Sequence, residues 1–314
     1  MSRPSFDCLI CDCTVTVVLD LGPQPPSNRF QRVGDSGKYS HPLVLGRCEG
    51  CGLIQLIDPM PAHEVRPRFD WIQYHEPEAH LDEVADRIAD GPEVGPGAFI
   101  GGLTYKDEST VQRLRDRGLE NARLLQSKVD LEIDDPHAGL ETIKERLTPE
   151  AARAFARRNG KFDLLIARHI LEHTHDPRAF LEAVRELVSP TGHLLFEVPD
   201  FTKCTLSNDY CFLWEEHLAY FVPATFQSSL TLQGWAWVEL LEYEYTFENS
   251  LVGLLCADGR DPALPARSQS PTSPSPLARH SAHARRQYAE RFPASELRRA
   301  ALRSSVPATS RASS

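Results

Sequence analysis

Two short strings in this chain of 314 residues place histidines beside carboxylates. RHILEH spans residues 168–173, and WEEHLAYF spans residues 214–221. A histidine beside a carboxylate suits general-base chemistry, because the imidazole titrates near neutral pH and the acid orients the ring. The ordinary alternative is a pair of solvated polar turns or satisfied core histidines, which are more frequent than sites. We predict that the two strings form two walls of one reactive pocket.

Four further residues have the spacing of metal ligands. Each of the two CxxC pairs lets its thiolates turn toward one centre, and Gly50 and Gly52 allow a tight turn at the second pair. Four sulfur ligands suit tetrahedral Zn²⁺ and leave no position open for substrate, so the predicted ion is structural. Cys13 is the weaker candidate ligand, and four reduced buried cysteines are the ordinary alternative. The predicted ligands are Cys8, Cys11, Cys48 and Cys51.

A strand–helix–strand unit must position the first histidine string. KFDLLIARH is typical of a buried strand, and HLLFEVPD is typical of another. Between them, Asp176 suits a helix N-cap, apolar residues recur at helical spacing, and Pro190 predicts the helix end. Such a unit implies parallel pairing, and ligands of open α/β sheets bind beyond the carboxyl ends of the strands. The first histidine string follows the first strand at that edge.

Further elements complete an α/β domain. GAFIGGLTY predicts an earlier strand, STVQRLRDRG predicts a helix after it, and WAWVELLEYEY with NSLVGLLCA predicts a closing hairpin. The expected fold is therefore a Rossmann-like α/β domain preceded by a small zinc-binding module. The predicted boundaries are 1–70 for the module, 71–256 for the α/β domain and 257–314 for a Pro-, Ser- and Arg-rich tail, which we expect to be disordered.

Composition and charge exclude several classes of partner. Hydrophobic residues make up 41% of the chain and the net charge is −10, which is ordinary for a soluble globular protein. Residues 257–314 carry ten Arg and four acids, so the remaining body has a net charge of −16 and is a poor partner for nucleic acid or anionic membrane. Neither a signal peptide nor an apolar run of membrane-spanning length is visible. We expect a cytoplasmic protein with reduced cysteines.

Several stretches resemble one known family. CLICDC, LDLGPQPPSNRF and HPLVLGRCEGCGLIQL are similar to the N-terminal zinc module of bacterial sugar C-methyltransferases, whereas FDLLIARHILEHTHDPRAFLEAV, GHLLFEVPDF and WEEHLAYFVPATF resemble their methyltransferase core. The resemblance implies S-adenosylmethionine as methyl donor and a ring carbon of a nucleotide-linked keto-deoxyhexose as acceptor. That family also carries a C-terminal α/β domain, which we expect this chain to lack.

The resemblance also implies catalytic roles. The family's YxEH motif maps onto residues 214–217, which makes His217 the base and Glu216 the group that orients or polarises it. His173 is expected to face the substrate from the other side, and Tyr74 matches a region that supplies a substrate-contacting tyrosine. Trp214 stands where the family has tyrosine, so a hydroxyl donor is replaced by an indole N–H.

The predicted cofactor loop is GAFIGGLTYKDEST, which combines a strand, a turn and a helix start. TYKDES lacks the glycine that the family has there, so two alternatives stay open: an O- or N-methyltransferase, and a zinc-bearing binding protein of the same fold without catalysis. Binding of S-adenosylmethionine discriminates the second alternative from an enzyme. The predicted cofactor-binding residues are Gly101, Gly102, Asp107, Ser109, Arg168 and His169.

Overall fold

The structure is a computed structural model that describes residues 6–27, 39–66, 76–135, 139–207 and 209–257. The predicted tail lies outside these residues, apart from residue 257. The described strands are β1 (Phe6–Asp7), β2 (Thr14–Gln24), β3 (His41–Cys48), β4 (Ile54–Ile57), β5 (Ile100–Gly102), β6 (Ala122–Leu124), β7 (Phe162–Arg168), β8 (Val188–Asp200), β9 (Ala219–Tyr220), β10 (Ala236–Tyr243) and β11 (Asn249–Cys256).

The helices are short and surround the second of two sheets. They are α1 (Ala62–Val65), α2 (Leu81–Ala89), α3 (Glu108–Asp116), α4 (Ser127–Asp130), α5 (Leu140–Arg146), α6 (Pro149–Asn159), α7 (Pro177–Leu187), α8 (Thr202–Ser207) and α9 (Pro223–Leu232). Tight 3-10 turns occupy Tyr105–Asp107, Leu171–His173 and Tyr210–Phe212. None of the helices in the described part of the chain is long and apolar enough to cross a membrane.

The first sheet is antiparallel and has the order β1-β2-β3-β4-β9. Its first four strands come from the N-terminal region. Its fifth strand, β9, lies within the second histidine string and pairs Ala219 with Gln55 and Tyr220 with Ile54. The N-terminal module is thus completed by a strand from the range assigned to the α/β domain.

The second sheet has the order β10-β11-β8-β7-β5-β6. Strands β8, β7, β5 and β6 run parallel. Strands β10 and β11 form the predicted hairpin, and β11 pairs antiparallel to β8. All the parallel strands therefore end at the same edge. The predicted α/β class is confirmed.

Helix α7 forms for the reasons that its sequence gives. The Asp176 carboxylate accepts a hydrogen bond from the Ala179 N–H (3.0 Å), Pro177 occupies the first helical position, and Phe180, Leu181, Val184 and Leu187 are buried. The helix ends at Leu187, three residues before Pro190, because the chain already enters β8 there. The predicted element is confirmed with a shorter C-terminal end.

One apolar core connects both sheets. It contains Leu53 and Ile57 of the N-terminal module together with Phe162 of β7 and Phe196 of β8. Gly101 of β5 permits close packing here, since a Cβ at this position would lie 2.6 Å from the Phe162 ring. The core holds the ends of β5, β7 and β8 in fixed relative positions.

Candidate active site and metal centre

The four predicted metal ligands come together. One sulfur atom from each of Cys8, Cys11, Cys48 and Cys51 lies within 4.8 Å of the others, with 3.6 Å between the Sγ atoms of Cys8 and Cys51 and 3.4 Å between those of Cys11 and Cys48. Backbone N–H groups of Ile10 and Gly50 donate to the Cys8 and Cys48 sulfurs. Cys13 is exposed and lies outside this group.

The chemistry of this cluster fits Zn²⁺. A hydrogen bond from the Cys51 thiol lowers the pKa of Cys8 to about 5, and the same contact raises the pKa of Cys51. Burial raises the pKa of Cys48 to about 11. The four thiols would lose their protons when a divalent ion binds, and the four thiolates would then fill all positions of a tetrahedral site.

The two histidine strings meet at the carboxyl edge of β7. RHILEH ends in the 3-10 turn Leu171–His173, and the N–H of Leu218, within the second string, donates to the Glu172 carbonyl oxygen (2.6 Å). The rings of His173 and His217 are perpendicular, with centroids 4.7 Å apart, and Trp214 stacks on His217 at 5.9 Å. The predicted juxtaposition of the two strings is observed.

Leu218 joins this pocket to the cysteine cluster. Its carbonyl oxygen accepts from the Leu56 N–H of β4 (2.9 Å), and β4 also carries Gln55. The Gln55 side chain accepts from the Leu9 N–H (2.9 Å) and donates to the Asp7 carbonyl oxygen (3.2 Å). Leu9 stands between the first two cysteines, so hydrogen bonds and the covalent chain of β4 together connect the two sites.

The histidine pocket contains a carboxylate that sequence reasoning assigned no role. Glu172 is 1% exposed, and neither of its carboxylate oxygens has a hydrogen-bond partner among the described residues. Its Oε1 lies 3.8 Å from the His173 Nε2 and 3.6 Å from the His169 Nδ1. His173 Nδ1 is also buried without a described hydrogen-bond partner.

Both pocket imidazoles are neutral near pH 7. Burial lowers the pKa of His217 to about 4 and lowers the pKa of His173 well below its ordinary value. A charged His217 would also disfavour a proton on His173. The pair is therefore in the form that accepts a proton or ligates a metal ion.

A second polar cluster lies directly beside the pocket, and its members are paired. The Arg168 Nε donates to the Glu197 Oε2 (2.5 Å), and the Glu197 Oε1 lies 3.2 Å from the His169 Nε2 and 3.1 Å from the His80 Nε2. Burial opposes the charge of Glu197, but His169 and Arg168 hold the pKa of this carboxyl well below its usual range. We call Arg168, His169, Glu197 and His80 the paired network.

The same carboxylate changes the state of His169. Burial alone would lower the pKa of this histidine, but Glu197 and Glu172 outweigh burial and raise it to about 9. His169 is thus a charged group that holds the loop after β7, in a left-handed backbone conformation with φ of 49°.

The predicted cofactor loop folds on itself. The Asp107 carboxylate accepts from the Thr104 N–H (2.7 Å) and from the Arg168 N–H (2.8 Å), which ties the loop after β5 to the end of β7. A Cβ added at Gly102 would lie within 3 Å of side-chain atoms of Leu124 and Asp107. This glycine, like Gly101, therefore permits close packing.

Ser109 lies at the rim of this loop. Its hydroxyl donates to Glu78 (2.7 Å), and Arg168 approaches it at 3.4 Å. Contact of the six predicted loop and network residues with a cofactor stays a prediction.

Of the two remaining predicted catalytic residues, the structure describes Glu216 but not Tyr74. Glu216 is buried next to His217 in the chain, and Tyr74 lies outside the described residues. Glu215, the first acid of the WEEH string, accepts from the Ser27 hydroxyl (2.8 Å) at the end of the N-terminal sheet. Its role is to hold two segments together.

Sequence reasoning missed Glu172, Glu197 and His80 as members of these clusters. For Glu197 a signal was present, because an acid inside the apolar run LLFEV indicates a buried charge that needs a partner. His80 carries no such signal, because its partners Glu197 and Tyr245 lie far away in the chain.

Comparison with known proteins identifies both parts of the chain. A family model described as "Putative zinc binding domain" matches residues 8–65, and one described as "Methyltransferase domain" matches residues 105–240. The chain is 33% identical over 137 residues to a ubiquinone biosynthesis O-methyltransferase of Ralstonia nicotianae, covering 43% of this chain and 51% of that protein. It is 31% identical over 83 residues to the C-methyltransferase NovU of Streptomyces niveus, covering 26% of this chain and 20% of that protein.

A solved structure also aligns with the α/β region. It is the 1,6-didemethyltoxoflavin-N1-methyltransferase of Burkholderia thailandensis with S-adenosylhomocysteine bound, at 12% identity and a TM-score of 0.38, over 57% of this chain and 78% of that one. The chain spans about half the length of the ubiquinone biosynthesis relatives given above and less of NovU. The chain therefore consists of a zinc-binding-type module and a methyltransferase domain of Rossmann-like fold, as predicted.

Proposed function

We propose that this protein transfers a methyl group from S-adenosylmethionine to a small molecule that must first lose a proton. The observation that carries the proposal is the pair His173 and His217, whose rings lie 4.7 Å apart at the carboxyl edge of β7 inside the methyltransferase match. Ligands of such sheets bind at this edge.

We favour carbon as the methyl acceptor, in a keto sugar or a related ketone. Support comes from the resemblance of WEEHLAYF to the sugar C-methyltransferase motif and from the similarity to NovU. The relatives named for ubiquinone biosynthesis are O-methyltransferases, so an oxygen acceptor is the competing assignment. Both kinds of acceptor must first be deprotonated, because a carbon beside a ketone and a hydroxyl oxygen each become good nucleophiles only after losing a proton.

The proposed roles follow from the pocket. His217 is neutral at pH 7, so it can accept the proton, while Glu216 orients it and His173 faces the substrate. The electrons left on the acceptor then attack the methyl group, which S-adenosylmethionine supplies in an electrophilic form. Arg168 and His169 hold the loops on either side of this pocket through Glu197. Tyr74 remains the proposed additional substrate contact.

A second candidate function has its own observation. The loop after β5 is closed by hydrogen bonds within the chain, since Leu103 N–H donates to Ile166 and Thr104 N–H to Asp107. A protein that has kept the fold and lost cofactor binding would have such a self-contained loop. It would act as a zinc-bearing binding module without catalysis.

Calorimetric titration with S-adenosylhomocysteine separates the two functions. We expect saturable binding with one equivalent per chain, followed by transfer of labelled methyl from S-adenosylmethionine to a nucleotide-linked keto-deoxyhexose. Absence of binding by folded, zinc-loaded protein would contradict the methyltransferase proposal. Binding with transfer to a phenolic hydroxyl, and none to keto sugars, would instead favour the oxygen acceptor.

A further inference from the structure

The pocket brings together three side chains that have the composition of a metal site. A carboxylate oxygen of Glu172 and one ring nitrogen each of His173 and His217 all lie within 4.8 Å of one another. Two of these residues share the turn after β7, and the third comes from the loop that the Leu218 N–H ties to the same turn. We call these three residues the triad.

The bonding of the triad is incomplete. Glu172 is almost fully buried, and both of its carboxylate oxygens lack a described hydrogen-bond partner, as does the Nδ1 atom of His173. A buried carboxylate without partners is costly in free energy, and native proteins satisfy such groups with hydrogen bonds, opposite charges or metal ions. The carboxylate of Glu197, at the same sheet edge, has Arg168 and two histidines around it. Among the described residues, Glu172 has no equivalent set of an arginine and two histidines around its carboxylate.

The cationic side chains nearby are engaged elsewhere. The Lys106 ammonium pairs with Glu76, and the Lys144 Nζ donates to the carbonyl oxygen of His173 (2.7 Å). His169 is already shared with Glu197, and it approaches Glu172 only to 3.6 Å. The described residues therefore place no full positive charge in hydrogen-bond contact with the Glu172 carboxylate.

We propose that Glu172, His173 and His217 bind one divalent metal ion, in addition to the ion of the four cysteines. One carboxylate and two imidazoles suit Zn²⁺, Fe²⁺ or Mn²⁺, and three protein ligands leave positions open for an oxygen of the methyl acceptor. This inference rests on the proposed function and deepens it. With the ion bound, His217 is a ligand and not the base of the ion-free scheme above. The charge of the ion then favours loss of the acceptor's proton to solvent and stabilises the acceptor oxygen in its anionic form.

Binding of Mn²⁺ to zinc-loaded protein tests the triad, because thiolate ligands select Zn²⁺ whereas carboxylate and imidazole also accept Mn²⁺. The loss of the free Mn²⁺ signal in electron paramagnetic resonance counts the bound ions. We expect one Mn²⁺ per wild-type chain, and an affinity at least about tenfold lower after Glu172→Gln or His217→Ala. Equilibrium dialysis with Zn²⁺ should give two ions per wild-type chain and one in each variant.

The matched control is His63→Ala, which removes a histidine that is 78% exposed and also lies beside a glutamate. It should bind Mn²⁺ as wild type does. Wild-type protein that holds one zinc and no Mn²⁺ overturns the proposal, and so does Mn²⁺ that binds equally well to Glu172→Gln and His217→Ala. Titration of the same preparations with S-adenosylhomocysteine reports separately on the proposed function, so failure of one proposal is distinguishable from failure of the other.

Discussion

The paired network and the triad occupy the same edge of the same sheet, yet their bonding is opposite. In the paired network, Glu197 has Arg168, His169 and His80 within 3.2 Å. In the triad, Glu172 is equally buried and has no described hydrogen bond to either carboxylate oxygen. Burial is the same, so the difference lies in the partners that the fold supplies.

This difference in partners suggests different roles for the two clusters. A fully partnered buried charge fixes the loops after β7 and β8, because each member is held by another. An ionised carboxylate without hydrogen-bond partners is costly to bury, and the described residues offset that cost for Glu172 through the 3.6 Å approach of His169. We therefore expect the paired network to stabilise the fold, and we propose that the triad binds a ligand.

Glu197→Gln should have the largest effect on stability. The substitution leaves the Arg168 guanidinium buried without its counter-charge, so the free energy of unfolding should fall by about 3–5 kcal/mol. Urea unfolding followed by circular dichroism measures this change. A loss below about 1 kcal/mol, the size expected of an exposed ion pair, would remove the distinction between the two clusters.

His217→Ala should mainly affect turnover. The loss of the base or ligand should lower kcat by about 10²-fold or more, equivalent to about 2.7 kcal/mol of transition-state stabilisation. Affinity for S-adenosylhomocysteine and the urea midpoint should stay close to wild type, because His217 does not belong to the paired network. Full methylation activity in this variant would show that the pocket is not where the proton is removed.

Glu172→Gln is the matched counterpart of Glu197→Gln and should have the opposite sign. Removing a buried charge without hydrogen-bond partners should raise the free energy of unfolding by about 1–2 kcal/mol when no divalent ion is added. Added Mn²⁺ should stabilise wild type and leave the variant unchanged, since only a native state that binds the ion is stabilised by it. Destabilisation of the variant in the absence of the ion would mean that Glu172 has a structural partner.

Asp107→Asn should show its effect in the pH dependence of stability. Burial raises the pKa of Asp107 to about 7 from its ordinary 3.8, so the folded state holds this proton more tightly than the unfolded state does. The contribution of the carboxyl to stability is therefore complete below about pH 4 and is lost as the pH rises through about 7. Urea unfolding at several pH values should show wild type losing stability relative to the variant over this interval, and a constant difference would contradict the assignment.

Local sequence signals predicted much of this molecule. The CxxC pairs were predictable because the two cysteines of each pair are three residues apart in the sequence. Helix α7 was predictable because Asp176, Pro177 and its apolar residues follow one another directly. The closing hairpin followed from two apolar runs. The meeting of His173 with His217 was also predictable, since both follow strands that end at one edge of the sheet.

Long-range partners were not predictable in the same way. His80, at the start of α2, reaches Glu197 of β8 only in the folded chain, and no spacing in the sequence encodes that contact. The helix α7 ended early because pairing of β8 with β7 took over from Val188, which is a tertiary effect. Glu172 was overlooked because its significance is the lack of a partner, a property of the folded surroundings.

The path through Leu218 makes the two ends of the molecule thermodynamically linked. Leu218 contacts Glu172 on one side and β4 on the other, and Gln55 of β4 braces the turn between the first two cysteines. An ion leaving the cysteines would loosen that turn and, through β9, the loop that carries His217. Linkage is reciprocal, so if an ion bound to the four sulfurs orders the His217 loop, a ligand that orders this loop strengthens binding of that ion by the same factor. We therefore expect the N-terminal module to influence the pocket as well as to support it.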